Sequence, residues 1–128
     1  VAHLISRPDT PLYHVERKAA ARFVTASSGR FQRRPIAPQE EAGSASFQEL
    51  RIAAGHRETV EARPAAAHIS VVIAVGKVEI SVESAPPVRL GEGDAIFFSA
   101  TSEHVISNFG TEESILFLVL TPQRIPGR

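Results

Sequence analysis

The clearest structural signal in the chain is the stretch Gly93 to Asn108, GDAIFFSATSEHVISN. It begins with a Gly-Asp turn, enters an apolar strand at residues 95–98 and crosses a polar loop at residues 99–103 to reach His104. A histidine that starts a strand just after a tight corner can point into a β-barrel, where a ligand or a metal ion would bind. The stretch therefore predicts two barrel strands and makes His104 the first candidate for a binding residue.

Strand signals recur along the rest of the chain. Residues 78–82 alternate between Val or Ile and Glu or Ser, which is typical of a half-exposed strand. Residues 68–75 are nearly continuous in β-branched side chains, which favours a strand buried on both faces. The other predicted strands lie at residues 12–17, 23–26, 31–36, 45–54, 88–90 and 114–121, with one more short strand inside the irregular segment 56–67. Short strands with turns at intervals of roughly 8–12 residues indicate an all-β sandwich or barrel.

Composition limits the possible functions. A chain of 128 residues, 43% of them apolar, predicts one domain with one small core. Its 14 basic and 14 acidic residues give a net charge of zero, which disfavours a nucleic-acid-binding surface spread over the whole domain. The densest basic cluster, Arg30, Arg33 and Arg34, fits a solvated strand edge better than an anion site.

The residue types that are absent exclude further classes of function. The chain has no cysteine, so disulfides, thiolate metal sites and cysteine nucleophiles are excluded. No apolar run reaches the roughly 18 residues that a membrane-spanning helix needs, and the first residues show no signal-peptide pattern. We therefore expect a cytoplasmic protein with no membrane partner.

The opening stretch resembles the second sequence motif of the cupin superfamily, G-x5-P-x-G-x2-H-x3-N. The matching residues are Gly93, Asp94, His104 and Asn108, while Ser99 and Thr101 replace the proline and the second glycine of the motif. Gly55 and Gly76 resemble the glycines that open and close the first cupin motif, G-x5-H-x-H-x3–4-E-x6-G. The resemblance implies an all-β cupin double-stranded β-helix, a jelly-roll barrel, with extra N-terminal strands.

The domain organisation follows from the same resemblance. We expect a single cupin domain over residues 1–128. Its parts are N-terminal strands and a loop in 1–44, the barrel in 45–121 and a tail in 122–128.

The first-motif positions of this chain disfavour a metal site. In metal-binding cupins, two histidines and a glutamate of that motif join the histidine of the second motif. Counting from the opening glycine puts the two histidine positions on Glu61 and Arg63, and counting back from the closing glycine puts the glutamate position on Ile69. An arginine repels a cation and an isoleucine cannot ligate one. The resemblance therefore leaves His104 with too few partners, and we expect no cofactor and no catalytic residue.

One alternative ligand set stays open. If the register shifts by one residue, His68 takes the glutamate position, and Glu61, His68 and His104 would form a metal site. Neighbouring residues of a strand face opposite sides, so His68 and Ile69 cannot both face the barrel, and hydrophobicity does not decide between them. The matching alternative function is a metal-dependent cupin enzyme, such as a dioxygenase or an isomerase.

A second resemblance, to one subgroup of cupins, extends over nearly the whole chain. Residues 3–23, 47–55, 71–82 and 93–122 are similar to the C-terminal sensor domain of bacterial Xre-type helix-turn-helix transcriptional regulators. The resemblance implies a small-molecule-sensing effector domain, free of metal, that forms a homodimer. It also implies that DNA is contacted only through a helix-turn-helix domain that this chain does not contain.

The sensor hypothesis places the ligand pocket at Arg63, Ile69, Val71, His104 and Ile106. Arg63 would bind a carboxylate or another anion, and His104 would donate or accept a hydrogen bond. The three aliphatic side chains would form an apolar wall. Asn108 is expected to cap a turn rather than to contact the ligand.

Overall fold

The structure, a computed structural model, describes residues 12–13, 15–36, 45–62 and 67–122. Within these residues, ten strands form two antiparallel sheets. In chain order they are β1 (Val24–Ala26), β2 (Phe31–Pro35), β3 (Ser46–Ile52), β4 (Arg57–Val60), β5 (Ala67–Val75), β6 (Val78–Val82), β7 (Val88–Leu90), β8 (Ala95–Ser99), β9 (His104–Ser107) and β10 (Ser114–Pro122). Two short 3-10 turns, Lys18–Ala20 and Ser27–Gly29, precede β1 and β2. In the part of the chain that is described, no helix is long and apolar enough to cross a membrane.

The strands are arranged as a jelly roll. One sheet has six strands in the order β1-β2-β3-β10-β5-β8, and the other has four in the order β4-β9-β6-β7. From β3 onward the chain crosses repeatedly between the two sheets, so most strands that pair there, except β6 and β7, are far apart in sequence. The strands β1 and β2 extend the edge of the six-stranded sheet. This arrangement confirms the predicted all-β jelly roll with extra N-terminal strands.

The hydrophobic core lies between the two sheets. In β10, Leu116 and Leu118 are buried, whereas Phe117 and Val119 are only partly buried. This alternation follows from the two-residue period of a strand, which points successive side chains to opposite faces. The largest fully buried hydrophobic side chains are Ile52, Ile73, Ile80, Ile106 and Leu116. They come from both sheets and hold the sheets together by excluding water.

The strand predicted at residues 12–17 is wrong. The described residues of this segment, 12–13 and 15–17, are not in a strand. Leu12 is 85% exposed and Tyr13 is 78% exposed, so the segment buries little apolar surface that could hold it against a sheet. Arg63 and residues 123–128 of the predicted tail lie outside the described residues.

The strand β5 is buried on one face only, which corrects the prediction of burial on both faces. Ile69, Val71 and Ile73 are buried, whereas His68 and Val72 are exposed. A strand is buried on both sides only where a second layer covers each face of its sheet. The β-branched residues of β5 therefore lie on both of its faces: one row faces the core, and the other is an apolar row on the outer face of the six-stranded sheet.

Candidate functional site

A cavity of about 230 Å³ opens between the two sheets. The six-stranded sheet contributes side chains of β2, β3 and β10, and the four-stranded sheet contributes β4 and the residue that follows it. The lining residues are Phe31, Arg33, Gln48, Leu50, Glu58, Thr59, Val60, Glu61 and Leu118. An internal space between the sheets of a β-sandwich, with both apolar and polar side chains around it, is a common position for a small-molecule site.

The walls of the cavity follow from the strand register. Residues that are direct partners in an antiparallel pair point to the same face. Arg33 of β2 is the partner of Leu50 in β3, and Gln48 of β3 is the partner of Leu118 in β10. Leu50, Gln48 and Leu118 are buried, so this row faces the interior of the molecule. The register therefore places an arginine and a glutamine among leucines on the inner face.

Gln48 is the buried polar group of the cavity. Its side chain is on the inner face and the residue is only 7% exposed. Its Nε2 donates a hydrogen bond of 3.2 Å to the hydroxyl of Ser46. A glutamine amide has two N–H donors and a carbonyl acceptor, so Gln48 retains hydrogen-bonding capacity for a ligand.

Two opposite charges, Arg33 and Glu61, lie at the mouth of the cavity. Both residues are exposed, and neither forms a hydrogen bond or an ion pair through its side chain within the described residues. Glu58, the other lining carboxylate, is engaged: it accepts a hydrogen bond of 2.8 Å from Ser27 and lies 2.7 Å from Nε2 of His56. Among the described residues that line the cavity, the charges available to a ligand are therefore those of Arg33 and Glu61.

His104 lies next to the cavity but does not line it. Its partner across the β4–β9 pair is Val60, which does line the cavity, and its partner across the β6–β9 pair is Val82. The residue is 1% exposed, and its ring meets that of Phe98 edge-on with the centroids 4.7 Å apart. An edge-to-face ring pair of this kind stabilises a core by about 0.5–1.5 kcal/mol.

The three aliphatic residues predicted to wall the pocket belong to the hydrophobic core. Ile69, Val71 and Ile106 are 3%, 1% and 0% exposed, and none of them lines the cavity. Since Arg63 lies outside the described residues, the pocket predicted at Arg63, Ile69, Val71, His104 and Ile106 stays a prediction.

The alternative metal set does not converge either. Ile69, not His68, faces the interior: the exposed side chain of His68 is on the outer face of the six-stranded sheet. Glu61 is exposed at the cavity mouth, and His104 is buried inside. Nowhere in residues 12–13, 15–36, 45–62 and 67–122 do three His, Asp or Glu side chains lie close enough together to hold a metal ion. The donor positions therefore do not fit the metal site of a cupin.

The sequence analysis did not identify Arg33 and Gln48 as site residues, although the sequence around each of them contains a feature that pointed to it. Gln48 lies two and four residues before Leu50 and Ile52, so its side chain is on the same, buried face of β3. It was therefore a polar residue at a core position. Arg33 belongs to the basic cluster that we read as a solvated strand edge. The side chains of this cluster lie on both faces of β2: Arg33 points to the cavity, and its neighbour Arg34 points to the outer face of the sheet.

Arg34 forms a buried ion-pair cluster on the outer face of the six-stranded sheet. Its Nη2 lies 2.6 Å from Oε1 of Glu49, and Nε of Arg51 lies 2.7 Å from Oε2 of the same carboxylate. Burial alone would raise the pKa of Glu49, but the hydrogen bonds and charges of Arg51 and Arg34 outweigh it and hold the pKa below its usual value. This cluster is structural and lies away from the cavity.

The two-sheet architecture is a cupin fold, and comparison with solved structures shows the same. The Cupin_2 domain of an XRE-family transcriptional regulator from Enterobacter cloacae is 16% identical with a TM-score of 0.69, and the match covers 74% of this chain and 99% of that domain. An HTH_3-family transcriptional regulator from Vibrio cholerae is 12% identical with a TM-score of 0.66, over 75% of this chain and 53% of that protein. This chain thus spans about half the length of the Vibrio regulator.

The same fold occurs in proteins of other kinds. The iron(II) form of HppE has a TM-score of 0.72 and 10% identity, over 85% of this chain and 60% of that protein. No family model matches the sequence, and no curated protein matches it. At these levels of identity the likenesses show the fold, and the function has to be argued from the site.

Proposed function

We propose that this chain is the small-molecule-sensing domain of a bacterial transcriptional regulator and that its ligand binds in the cavity between the sheets. The observation that carries the proposal is the combination, around one cavity, of apolar walls, a buried amide at Gln48 and two charges, Arg33 and Glu61, that form no ion pair with another described residue. The likeness to the cupin domains of two transcriptional regulators supports it.

The cavity favours a small ligand of mixed character. Its volume of about 230 Å³ is below the roughly 300–1,000 Å³ of pockets for drug-sized molecules. The guanidinium of Arg33 suits a carboxylate, and the carboxylate of Glu61 suits an amino or hydroxyl group. Phe31, Leu50 and Leu118 suit an apolar tail. We therefore propose amino acids with apolar side chains, and related small hydroxy acids, as the ligand class.

In a sensing role, ligand binding would change the affinity of the regulator for DNA. A ligand that binds one arrangement of the domain more tightly shifts the population toward that arrangement. Arg63, which lies outside the described residues, stays a predicted anion-binding residue. DNA would be contacted through a helix-turn-helix domain outside this chain, and the domain would act in the cytoplasm, where bacterial DNA lies.

Thermal unfolding in the presence of a ligand panel tests the proposal. The panel contains the apolar L-amino acids, the corresponding 2-hydroxy acids, and the corresponding amines that lack the carboxylate. A ligand that binds only the folded state at about 100 times its Kd stabilises that state by about 2.7 kcal/mol and raises Tm by several degrees. We expect this rise for members that carry a carboxylate and not for the amines.

Two arginine variants locate the site. Arg33→Gln should weaken binding of the active ligand at least tenfold, because it removes the charge that pairs with the carboxylate. Arg30→Gln is the matched control, since Arg30 is an exposed residue of the same cluster that does not line the cavity. Equal effects of the two substitutions, or no effect of Arg33→Gln, would place the binding site elsewhere.

A metal-dependent enzyme is the second candidate function. The observation in its favour is the shared fold with HppE, whose structure is that of the iron(II) form. The positions of Glu61, His68 and His104 argue against it, because the three side chains occupy the cavity mouth, the outer face and the interior.

A further inference from the structure

Gln48 is a polar side chain on an apolar part of the cavity wall. The strands β3 and β10 contribute Gln48, Leu50 and Leu118 to this wall. In the strand register the direct partners of Gln48 are Leu118 on one side and Pro35 of β2 on the other. The amide of Gln48 therefore lies among side chains that cannot form a hydrogen bond with it.

The hydrogen-bonding groups of this amide are only partly used. Gln48 is 7% exposed, and its Nε2 donates one hydrogen bond of 3.2 Å, at the long end of the usual range, to the hydroxyl of Ser46. Within the described residues, the second N–H of Nε2 has no acceptor and Oε1 has no donor. A buried amide with unused hydrogen-bonding groups lowers stability relative to an apolar side chain of similar size. Because Gln48 lines the cavity, a ligand can supply the missing partners.

Gln48 and Arg33 lie close enough to contact the same small molecule. Arg33 is the direct partner of Leu50, and Gln48 precedes Leu50 by two residues on the same face of β3. Diagonal neighbours of this kind have Cα atoms about 7–8 Å apart. Arg33 is exposed, whereas Gln48 is buried, so the two residues mark the outer and the inner end of the site. A ligand whose carboxylate binds Arg33 therefore extends its tail towards Gln48.

We infer that Gln48 selects ligands whose otherwise apolar tail carries one group that both donates and accepts hydrogen bonds, namely a hydroxyl or a carboxamide. Such a group can donate to Oε1 of Gln48 and accept from its free N–H. A methyl group in the same place displaces the water that would solvate the amide and leaves its N–H and C=O without partners. This specificity rests on the proposed function and refines its ligand class: among ligands that fit the cavity, those with such a group bind most tightly.

Pairs of L-amino acids of similar shape test the specificity. The pairs are threonine and valine, homoserine and norvaline, and asparagine and leucine, and the first member of each pair carries the hydroxyl or the carboxamide. Titration calorimetry with the unaltered chain measures Kd for both members. We expect the polar member of at least one pair to bind about tenfold more tightly than its apolar counterpart, because a site that hydrogen-bonds a ligand group rejects the analogue that lacks it.

Two glutamine variants test whether this preference comes from Gln48. Gln48→Leu should reverse the preference within the same pair, because the wall then offers only apolar contacts at this position. Gln32→Leu is the matched control: Gln32 of β2 is the direct partner of Arg51, whose side chain is on the outer face of the six-stranded sheet. This control should keep the preference of the unaltered chain. If Gln48→Leu does not fold by circular dichroism, Gln48→Met removes the amide at the same side-chain length and gives the same test.

The possible results distinguish a failure of this specificity from a failure of the ligand site. If the apolar members bind the unaltered chain as tightly as the polar members, or if Gln48→Leu leaves the preference unchanged, the role of Gln48 is wrong and the ligand site stands. Equal changes in Gln48→Leu and Gln32→Leu would also overturn the role of Gln48. If no member of any pair binds, the proposed ligand class is wrong, and the specificity of Gln48 is wrong with it.

Discussion

The side-chain Nδ2 of Asn108 donates a hydrogen bond of 2.9 Å to the backbone carbonyl of Ile52 and so connects the two sheets. Ile52 ends β3 in the six-stranded sheet, and Asn108 directly follows β9 in the four-stranded sheet. The same Nδ2 donates to the carbonyl of Glu112 at 2.8 Å, and Oδ1 accepts from the backbone N–H of Gly110 at 2.9 Å. The asparagine of the second cupin-like motif therefore caps a turn, as expected from the sequence, and it also joins the two sheets, which the sequence did not predict.

Replacing Asn108 by alanine should destabilise the fold by about 2–4 kcal/mol. The residue is 1% exposed, and the substitution leaves the carbonyls of Ile52 and Glu112 and the N–H of Gly110 without their side-chain partner. Urea unfolding measures the loss, with Ser107→Ala as the neighbouring control on β9. A loss below about 1 kcal/mol would show that water replaces the amide at no cost.

Gly76→Ala should be more damaging than Gly93→Ala. Both glycines have positive φ, +89° and +90°, so alanine strains the backbone at either position by about 1–2 kcal/mol. A Cβ at Gly76 would in addition overlap with the hydroxyl of Ser114, whereas a Cβ at Gly93 meets no atom within 4 Å. In a double-mutant cycle by urea unfolding, Ser114→Ala should recover part of the loss at Gly76 and none at Gly93. Equal losses for both glycines would mean that the overlap is relieved by other movements.

The contribution of the Glu49 cluster to stability should depend on pH. Because its folded-state pKa is lowered, the cluster stabilises the fold above the unfolded-state value of about 4.3 and loses that contribution as the pH falls through the folded-state value. At neutral pH, Glu49→Gln should cost about 1–3 kcal/mol, because Arg34 and Arg51 lose a carboxylate that is 4% exposed. Urea unfolding as a function of pH should show the two proteins converging in acid. A difference that is constant over the whole pH range would contradict this explanation.

Metal removal separates the two candidate functions. If the chain is a metal-free sensor, dialysis against EDTA should leave Tm unchanged within about 1 °C, since no bound ion would stabilise the folded state. Elemental analysis of the protein before dialysis is the companion measurement. Near-stoichiometric iron, manganese, nickel or zinc, together with a fall in Tm of several degrees after EDTA, would support the enzyme and count against the sensor.

Local patterns predicted most of the fold. The alternation of Val78, Ile80 and Val82 with polar residues defined β6, because a strand that is half buried must place its apolar side chains two residues apart. The turns around Gly76 and Gly93 separated β5 from β6 and β7 from β8. These signals need only neighbouring residues, so the sequence by itself determined the all-β class and the approximate position of most strands.

The site depended on contacts that no local pattern contains. The cavity is formed by residues 31, 33, 48, 50, 58–61 and 118, which come together only because strands distant in sequence pair and the sheets pack. Alternation showed that Arg33 and Arg34 point to opposite faces, but not which of them faces the cavity and which pairs with Glu49. For the same reason the Val72 row of β5 was taken as core, whereas the sheet stacking leaves it on the surface. The sequence determined where the strands lie and which side chains of a strand share a face. Only the tertiary structure decided which of the two faces is inside, because a face is buried only where the second sheet packs against it.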